Sequence, residues 1–423
     1  MVYFFIYPAA TITIRRNQTV PSPNLKPAVK NAIMIGVMCS LSYLAVYFVR
    51  NILSAVAPQM TETGAFTTEQ IGTLSSIYFI TYAVGQLING AIGDKIHAKY
   101  MISLGLILAG IGNIIFTLFS SSLITAYISY GLCGFFLSMV YGPMTKVVSE
   151  NTEPIYATRC TLGYTFASFV GTPLAGLLAV ALAWQGVFHA GSLALLAMGA
   201  VCFAVFCYFE RAGIVRYGQY QKPRQRGTGG IRVLIKHQII KFTLVSVLTG
   251  VVRTTVVFWL PTYLSQHLGF SSDTAALIFT VSTFIISMTA FIAVFLYERL
   301  GRNMDLTVLI AFIASAIGFT AVYFVKLPVL NIVALVFAIM SSNCASSMLW
   351  SRYCPGLRDT GMVSGATGFL DFMSYTAASV SSTLFANAVS TIGWGNLILV
   401  WLGLMVIGVI VALPRRRQAV QAQ

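Results

Sequence analysis

Long apolar runs separated by short polar breaks dominate the chain, and most of them reach the roughly 20 residues that an α-helix needs to cross a hydrocarbon layer. The pattern predicts twelve helices, near residues 31–58, 67–92, 99–119, 122–149, 157–182, 187–209, 237–264, 271–297, 304–325, 328–351, 360–390 and 394–413. The second is preceded by FTTEQ, where Thr67 or Thr68 can cap the new helix. Between the sixth and the seventh lies Arg211 to Lys236, with seven basic residues, no acidic ones and a Gly/Pro-rich middle, KPRQRGTGG. That composition reads as a linker between two halves. The expected organisation is a segment 1–30, a six-helix half over 31–210, the linker 211–236, a second six-helix half over 237–413 and a tail 414–423.

The halves repeat. YLAVYFVRNILSAVAP, residues 43 to 58, carries Arg50 inside an apolar run, and GVVRTTVVFWLPTYL carries Arg253. Each arginine is followed eight residues later by a proline, Pro58 or Pro261, so both pairs are offset by 203. FTTE at 66–69 is echoed by FSSD at 270–273, and Asp94 by Glu298, each offset by 204. Such coincident offsets indicate a parallel duplication of six helices about an axis along the membrane normal.

Composition sharpens this into an all-α polytopic membrane protein: of 423 residues, 57% are hydrophobic and only 9% charged, too apolar for a water-soluble core. The net charge of +15 does not indicate a nucleic-acid partner, because of where the charge falls. Of the 26 Lys and Arg, Arg50, Lys146 and Arg253 fall inside helices and Lys326 in an outer loop, while the rest occupy the termini and every second loop. That is the positive-inside pattern and predicts both termini in the cytoplasm; the expected location is the cell's inner (plasma) membrane. The seven cysteines are scattered without a CxxC, which indicates neither a disulfide framework nor a metal site. MVYFFIYPAATITI is too short to span and lacks the basic leader of a signal peptide, so it reads as an interfacial segment or as sequence upstream of the native start.

A GxxxDK loop after the second helix, a weaker copy after the eighth, and twelve helices in two halves resemble the major facilitator superfamily. Within it the chain looks like the organophosphate:phosphate antiporters, which include glycerol-phosphate and hexose-phosphate transporters. Tyr43, Tyr47 and Arg50 match that family's first-helix pattern, Arg253 followed by WLPTYL matches its seventh helix, and Tyr141, Pro143 and Lys146 match its fourth. Two positions depart from the glycerol-phosphate pattern, Ser168 in place of a histidine and Gln86 in place of a lysine. The resemblance implies exchange of an organic phosphate for inorganic phosphate. It also implies that Asp94 and Lys95, with Glu298 and Arg299, make charge contacts that gate the conformational change.

The residues themselves support an anion site. A buried arginine costs on the order of 3 kcal/mol on the insertion scale. Against three intramembrane cations stands one predicted intramembrane acid, Asp371, so a bound anion can balance the surplus. Guanidinium suits phosphate or carboxylate because its planar donors grip two oxygens at once. Tyr43, Tyr47 and Arg50 share one helix face at i, i+4 and i+7, which should look into the cavity, although such aromatic stripes also serve packing. Ser246, Gly250 and Arg253 share a face on which a substrate could approach the backbone. Lys146 either snorkels to headgroups or draws anions inward. Asp371 can pair with a cation, accept a sugar hydroxyl, carry a proton or form a structural salt bridge. The site residues are therefore Arg50, Arg253, Tyr43, Tyr47, Tyr141, Lys146 and Asp371, with no cofactor, no metal and no enzymatic constellation of paired carboxylates or activated nucleophile. The expected function is secondary transport of an organic phosphate by a monomer in lipid. The alternatives are a proton-coupled symporter of a carboxylate or sulfonate, and a membrane sensor of a sugar phosphate.

Overall fold

A computed structural model describes residues 25–93, 96–217, 235, 237–357 and 363–413. Asp94, Lys95, most of the 211–236 linker and the 414–423 tail lie outside the described residues. The first half contains α1 (Leu25–Arg50 and Ile52–Glu62), α2 (Thr68–Gly93), α3 (Ala98–Leu118), α4 (Leu123–Leu137 and Tyr141–Asn151), α5 (Pro154–Ala181) and α6 (Trp184–Arg211). The second contains α7 (Ile239–Gly250, Val251–Val256 and Val257–Gln266), α8 (Ser272–Ser287 and Thr289–Arg299), α9 (Met304–Phe324) and α10 (Pro328–Met348 and Leu349–Tyr353). The run Val363–Ala412 is divided into α11 and α12 by Gly393, at φ 73 and ψ 169, a conformation open essentially to glycine.

Ten stretches among the described residues are long and apolar enough to cross a membrane. The last, Ala366–Ala412, spans 47 residues and makes two crossings, and Pro154–Ala181, 28 residues long, completes the twelve. The chain is thus the twelve-helix membrane protein that its hydropathy predicts. Leu193, Phe291 and Phe324 are 69%, 63% and 70% exposed, a surface that suits hydrocarbon. The repeated capping sites differ in detail. Thr67 accepts from the Gln70 amide at 3.3 Å while the Gln70 side chain accepts from the Thr67 amide at 2.9 Å, a reciprocal capping box. Its counterpart Ser271 accepts from the Thr274 amide.

Several helices are broken near mid-membrane. α1 kinks at Asn51, whose side chain donates to the Tyr47 carbonyl at 2.7 Å, and α7 passes through a π-helical turn over Val251–Val256. The two half-buried arginines therefore sit at backbone irregularities, Arg50 just before the first and Arg253 within the second.

The halves meet through α1, α2 and α5 on one side and α7, α8 and α11 on the other. Ser54 donates to the Phe258 carbonyl at 2.6 Å, Gln266 to Thr68 at 3.1 Å and Ser272 to Glu62 at 2.6 Å, while Ser76 bonds with Ser379. A Cβ at Gly72 of α2 would overlap Ala386 of α11, so only glycine allows these two helices to approach so closely. Among the described residues, the hydrogen bonds between the halves run from Arg50–Tyr375 out to Glu62–Ser272. The face away from the termini is thereby zipped shut.

Candidate anion site

Arg50 and Arg253 line one cavity of about 180 Å³ between the halves. Tyr47, Asn51, Phe79, Thr172, Thr283, Ser287 and Asn343 share its wall. Arg50 ends the first segment of α1, where the Asn51 kink interrupts the helix, and Asn51 is anchored again by a 3.0 Å bond to Thr172 of α5. The Arg50 guanidinium donates from Nη1 to the Tyr375 hydroxyl at 2.8 Å. Four rings surround it, with centroids 5.4 Å away for Tyr47, 5.7 Å for Phe79, 5.2 Å for Tyr82 and 4.7 Å for Tyr375. An aromatic cage of this kind offsets part of the desolvation of a buried cation through the negative ring faces.

Arg253 is held differently. The Tyr375 ring lies 5.9 Å from its guanidinium, yet its Nε and Nη2 are buried and make no hydrogen bond. Buried donors, above all charged ones, normally have partners. Asp371 on α11 interacts electrostatically with both arginines, but no ion pair within 4.0 Å joins it to either of them. The cavity thus presents two guanidiniums, and Asp371, which is not part of its wall, makes no ion pair with either. Two such guanidiniums have the donors to hold an anion with two or more acceptor oxygens.

The other predicted residues fall into three groups. Tyr47 lines the cavity, whereas Tyr43 packs behind it, with its ring 4.9 Å from Tyr47, 5.5 Å from Tyr141 and 5.9 Å from Tyr164. Tyr141 and Lys146 belong to the second segment of α4 and lie outside the cavity wall, Tyr141 being 37% exposed. Glu298 and Arg299 occupy the last turn of α8 and not the following loop, with the Arg299 guanidinium 5.2 Å from the Phe295 ring. Asp94 and Lys95 lie outside the described residues, and so does the Ser168 side chain.

One expectation is corrected. Ser246 and Gly250 do not face a substrate. Ser246 donates to the Leu370 carbonyl at 2.8 Å, and a Cβ on Gly250 would overlap Ser374, so this face of α7 is the seam with α11. The sequence reading missed Phe79, Tyr82 and Tyr375. Phe79 and Tyr82 stand at i and i+3 in YFITY, and Tyr375 lies one turn beyond Asp371, so both signals were present but were indistinguishable from ordinary aromatic packing.

Two six-helix bundles with a cationic cavity between them define a polytopic all-α membrane protein. The sequence profile of the Major Facilitator Superfamily matches residues 39–378, and the chain belongs to that family. Its relatives include the membrane sensor protein UhpC of Salmonella typhimurium, 28% identical over 59% of this chain and 61% of the sensor. They also include the phosphoglycerate transporter protein of Salmonella typhimurium, 25% identical over 84% of this chain and 82% of that protein. The hexuronate transporter of Bacillus subtilis is 20% identical over 82% and 85%. The alignment to the sensor therefore spans somewhat under two thirds of its length. Among solved structures, a D-xylose–proton symporter superposes with a TM-score of 0.70 at 13% identity over 90% of this chain and 96% of that one. A bacterial homologue of the human lysosomal transporter Spinster, inward-facing and unoccupied, superposes with a TM-score of 0.71 at 13% identity over 90% and 96%. These superpositions carry the fold alone.

Proposed function

We propose that this protein is a secondary transporter that exchanges an organic phosphate for inorganic phosphate across the inner membrane, by rocking its halves about a site held by Arg50 and Arg253. The observation that carries the reading is that Arg50 and Arg253 line one cavity and no carboxylate of the described residues lies within ion-pair distance of either. A doubly cationic empty site is costly at membrane depth, and a bound anion relieves that cost. Reorientation is then favoured only when the site is loaded, which makes the protein an exchanger. Relatives named as hexose phosphate, phosphoglycerate and glycerol-3-phosphate transporters support phosphate esters as the substrate class. Both termini and the basic linker lie on the cytoplasmic side by the positive-inside pattern, and the monomer is the working unit. In this reading Tyr47 contacts the substrate, while Tyr43, Tyr141 and Lys146 flank its path. Asp371 sets the local field, and the Asp94–Lys95 and Glu298–Arg299 segments gate closure on the terminal face. The test is counterflow in proteoliposomes loaded with phosphate, against a panel of phosphate esters; a preparation that exchanges neither phosphate nor any ester overturns the assignment.

Two relatives favour specific alternatives. A relative named as a membrane sensor favours the alternative in which this chain binds a sugar phosphate without moving it, and saturable binding with no flux would identify that behaviour. A relative named as a hexuronate transporter favours the alternative of carboxylate transport, for which this chain would use Asp371 as proton carrier; uptake driven by a pH gradient and lost in Asp371→Asn would identify it.

A further inference from the structure

α7 carries five threonines, and the backbone around each decides what its hydroxyl does. In the α-helical first segment Thr243 donates to the Ile239 carbonyl and Thr249 to the Val245 carbonyl, both at 2.8 Å, the bond four residues back that a mid-helix threonine can make. Thr255 turns to α11, where it bonds with the Ser381 hydroxyl at 2.9 Å and donates to the Ala378 carbonyl at 3.3 Å. Thr262 is sealed in the packing with its hydroxyl unbonded. Thr254 differs from all four. It lies beside Arg253 in the π-helical turn Val251–Val256 and lines the cavity. The residue is 8% exposed, and its hydroxyl, which makes no hydrogen bond among the described residues, stays open. The cause is local. Ladder bonds over five residues widen the turn, so the carbonyl four residues back, that of Gly250, is not held under the Thr254 side chain.

We propose that Thr254 is a ligand-binding residue: its hydroxyl, released by the π-helical turn, donates to an oxygen of the anion held by Arg50 and Arg253. The cavity measures about 180 Å³, below the roughly 300–1,000 Å³ of ordinary ligand sites, so an anion that enters displaces most of the water and touches most of the wall. A hydroxyl covered in this way either bonds to the anion or is left unpaired, and an unpaired buried donor is costly. A hydroxyl also adds a charge-assisted bond to the anion without adding a third buried positive charge. The inference rests on the anion-site reading above and adds to it a neutral donor that the backbone of α7 makes available.

The experiment titrates the purified full-length protein in detergent with inorganic phosphate and reads apparent affinity from the ligand-dependent rise in its unfolding midpoint. Thr254→Val keeps the shape and removes the hydroxyl. Without phosphate its midpoint should match the parent's, because no bond within the protein is lost, while its affinity should fall about tenfold or more, the factor of one hydrogen bond to a charged group. Thr254→Ser keeps the hydroxyl and should bind within about twofold of the parent. Thr254→Ala should repeat the loss, so the result does not depend on valine being accommodated in the turn. Thr249→Val removes a hydroxyl already committed to the Val245 carbonyl and should show the opposite pattern, a lower midpoint without phosphate and an unaltered affinity. Parental affinity in both Thr254→Val and Thr254→Ala overturns the assignment and leaves the anion site standing, and so does a serine variant that binds as weakly as the valine one. No phosphate-dependent rise in the parent overturns the anion-site reading and the role of Thr254 with it.

Discussion

Replacing Arg253 with lysine tests the anion site most directly, because it keeps the charge and removes the geometry. In the present structure Nε and Nη2 of Arg253 are two N–H groups on one edge of a planar fork, both buried and both unpartnered. A phosphate can take two bonds from a guanidinium fork, whereas an ammonium on a flexible stem acts as a point charge. Each hydrogen bond to a charged group contributes about 1.5–3 kcal/mol, so loss of one should raise the half-saturation for phosphate by roughly 10- to 150-fold. Phosphate-loaded proteoliposomes give the assay: the initial rate of labelled phosphate exchange as a function of external phosphate, normalised to reconstituted protein. A half-saturation within twofold of the parent would refute the bidentate reading. Arg253→Gln supplies the complementary arm. It removes a buried cation that no counter-ion contacts, whose burial costs on the order of 3 kcal/mol on the insertion scale, so the unliganded protein should unfold several degrees higher while exchange is lost. A variant that lost both exchange and thermal stability would mean that Arg253 is a structural charge with a native partner.

Tyr375→Phe removes the 2.8 Å bond that aims Arg50 across the interface but keeps the ring beneath the guanidinium, so half-saturation for phosphate should rise severalfold with little change in unfolding midpoint; an unchanged value would show that the cage alone positions Arg50. Gly72→Val wedges α2 from α11 at the sealed face, so exchange should fall at least tenfold and a cysteine placed at buried Ser54 should gain reactivity toward an impermeant thiol reagent; undiminished exchange would mean that this seam is not part of the closing surface. Lys241→Ala breaks the 3.0 Å pair with Asp305 and a 3.4 Å bond to the Ala412 carbonyl, which together tie α7, α9 and α12. Thermal unfolding should show a loss of about 1 kcal/mol, as for a partly exposed pair, with half-saturation for phosphate unaltered.

The two breaks beside the arginines suggest why buried charge and motion share one place. Asn51 gives the Tyr47 carbonyl a side-chain partner where the regular helix is interrupted, and the π-helical turn of α7 surrounds Arg253 with a looser ladder. Outward of these breaks, Ile52–Glu62 and Val257–Gln266 pack together to seal the face away from the termini, with Ser54 bonded to the Phe258 carbonyl. In the proposed exchange cycle, a segment that swings about such a break would move the seal and re-aim the guanidinium in one step.

The sequence by itself determined the twelve crossings, the duplication and the depth of the charges. Spans follow from the cost of unsatisfied backbone in hydrocarbon, and repeat symmetry is written as fixed offsets, so both are one-dimensional signals. Only the tertiary structure decided which neighbours those charges meet. The hydroxyl that holds Arg50 comes from Tyr375, 325 positions away, and the cage draws Phe79 and Tyr82 from α2, residues that local periodicity cannot separate from packing aromatics. For the same reason Gly250, which at the level of sequence could equally admit a ligand, proved to admit α11, because what fills the space above a glycine depends on how close the next helix comes.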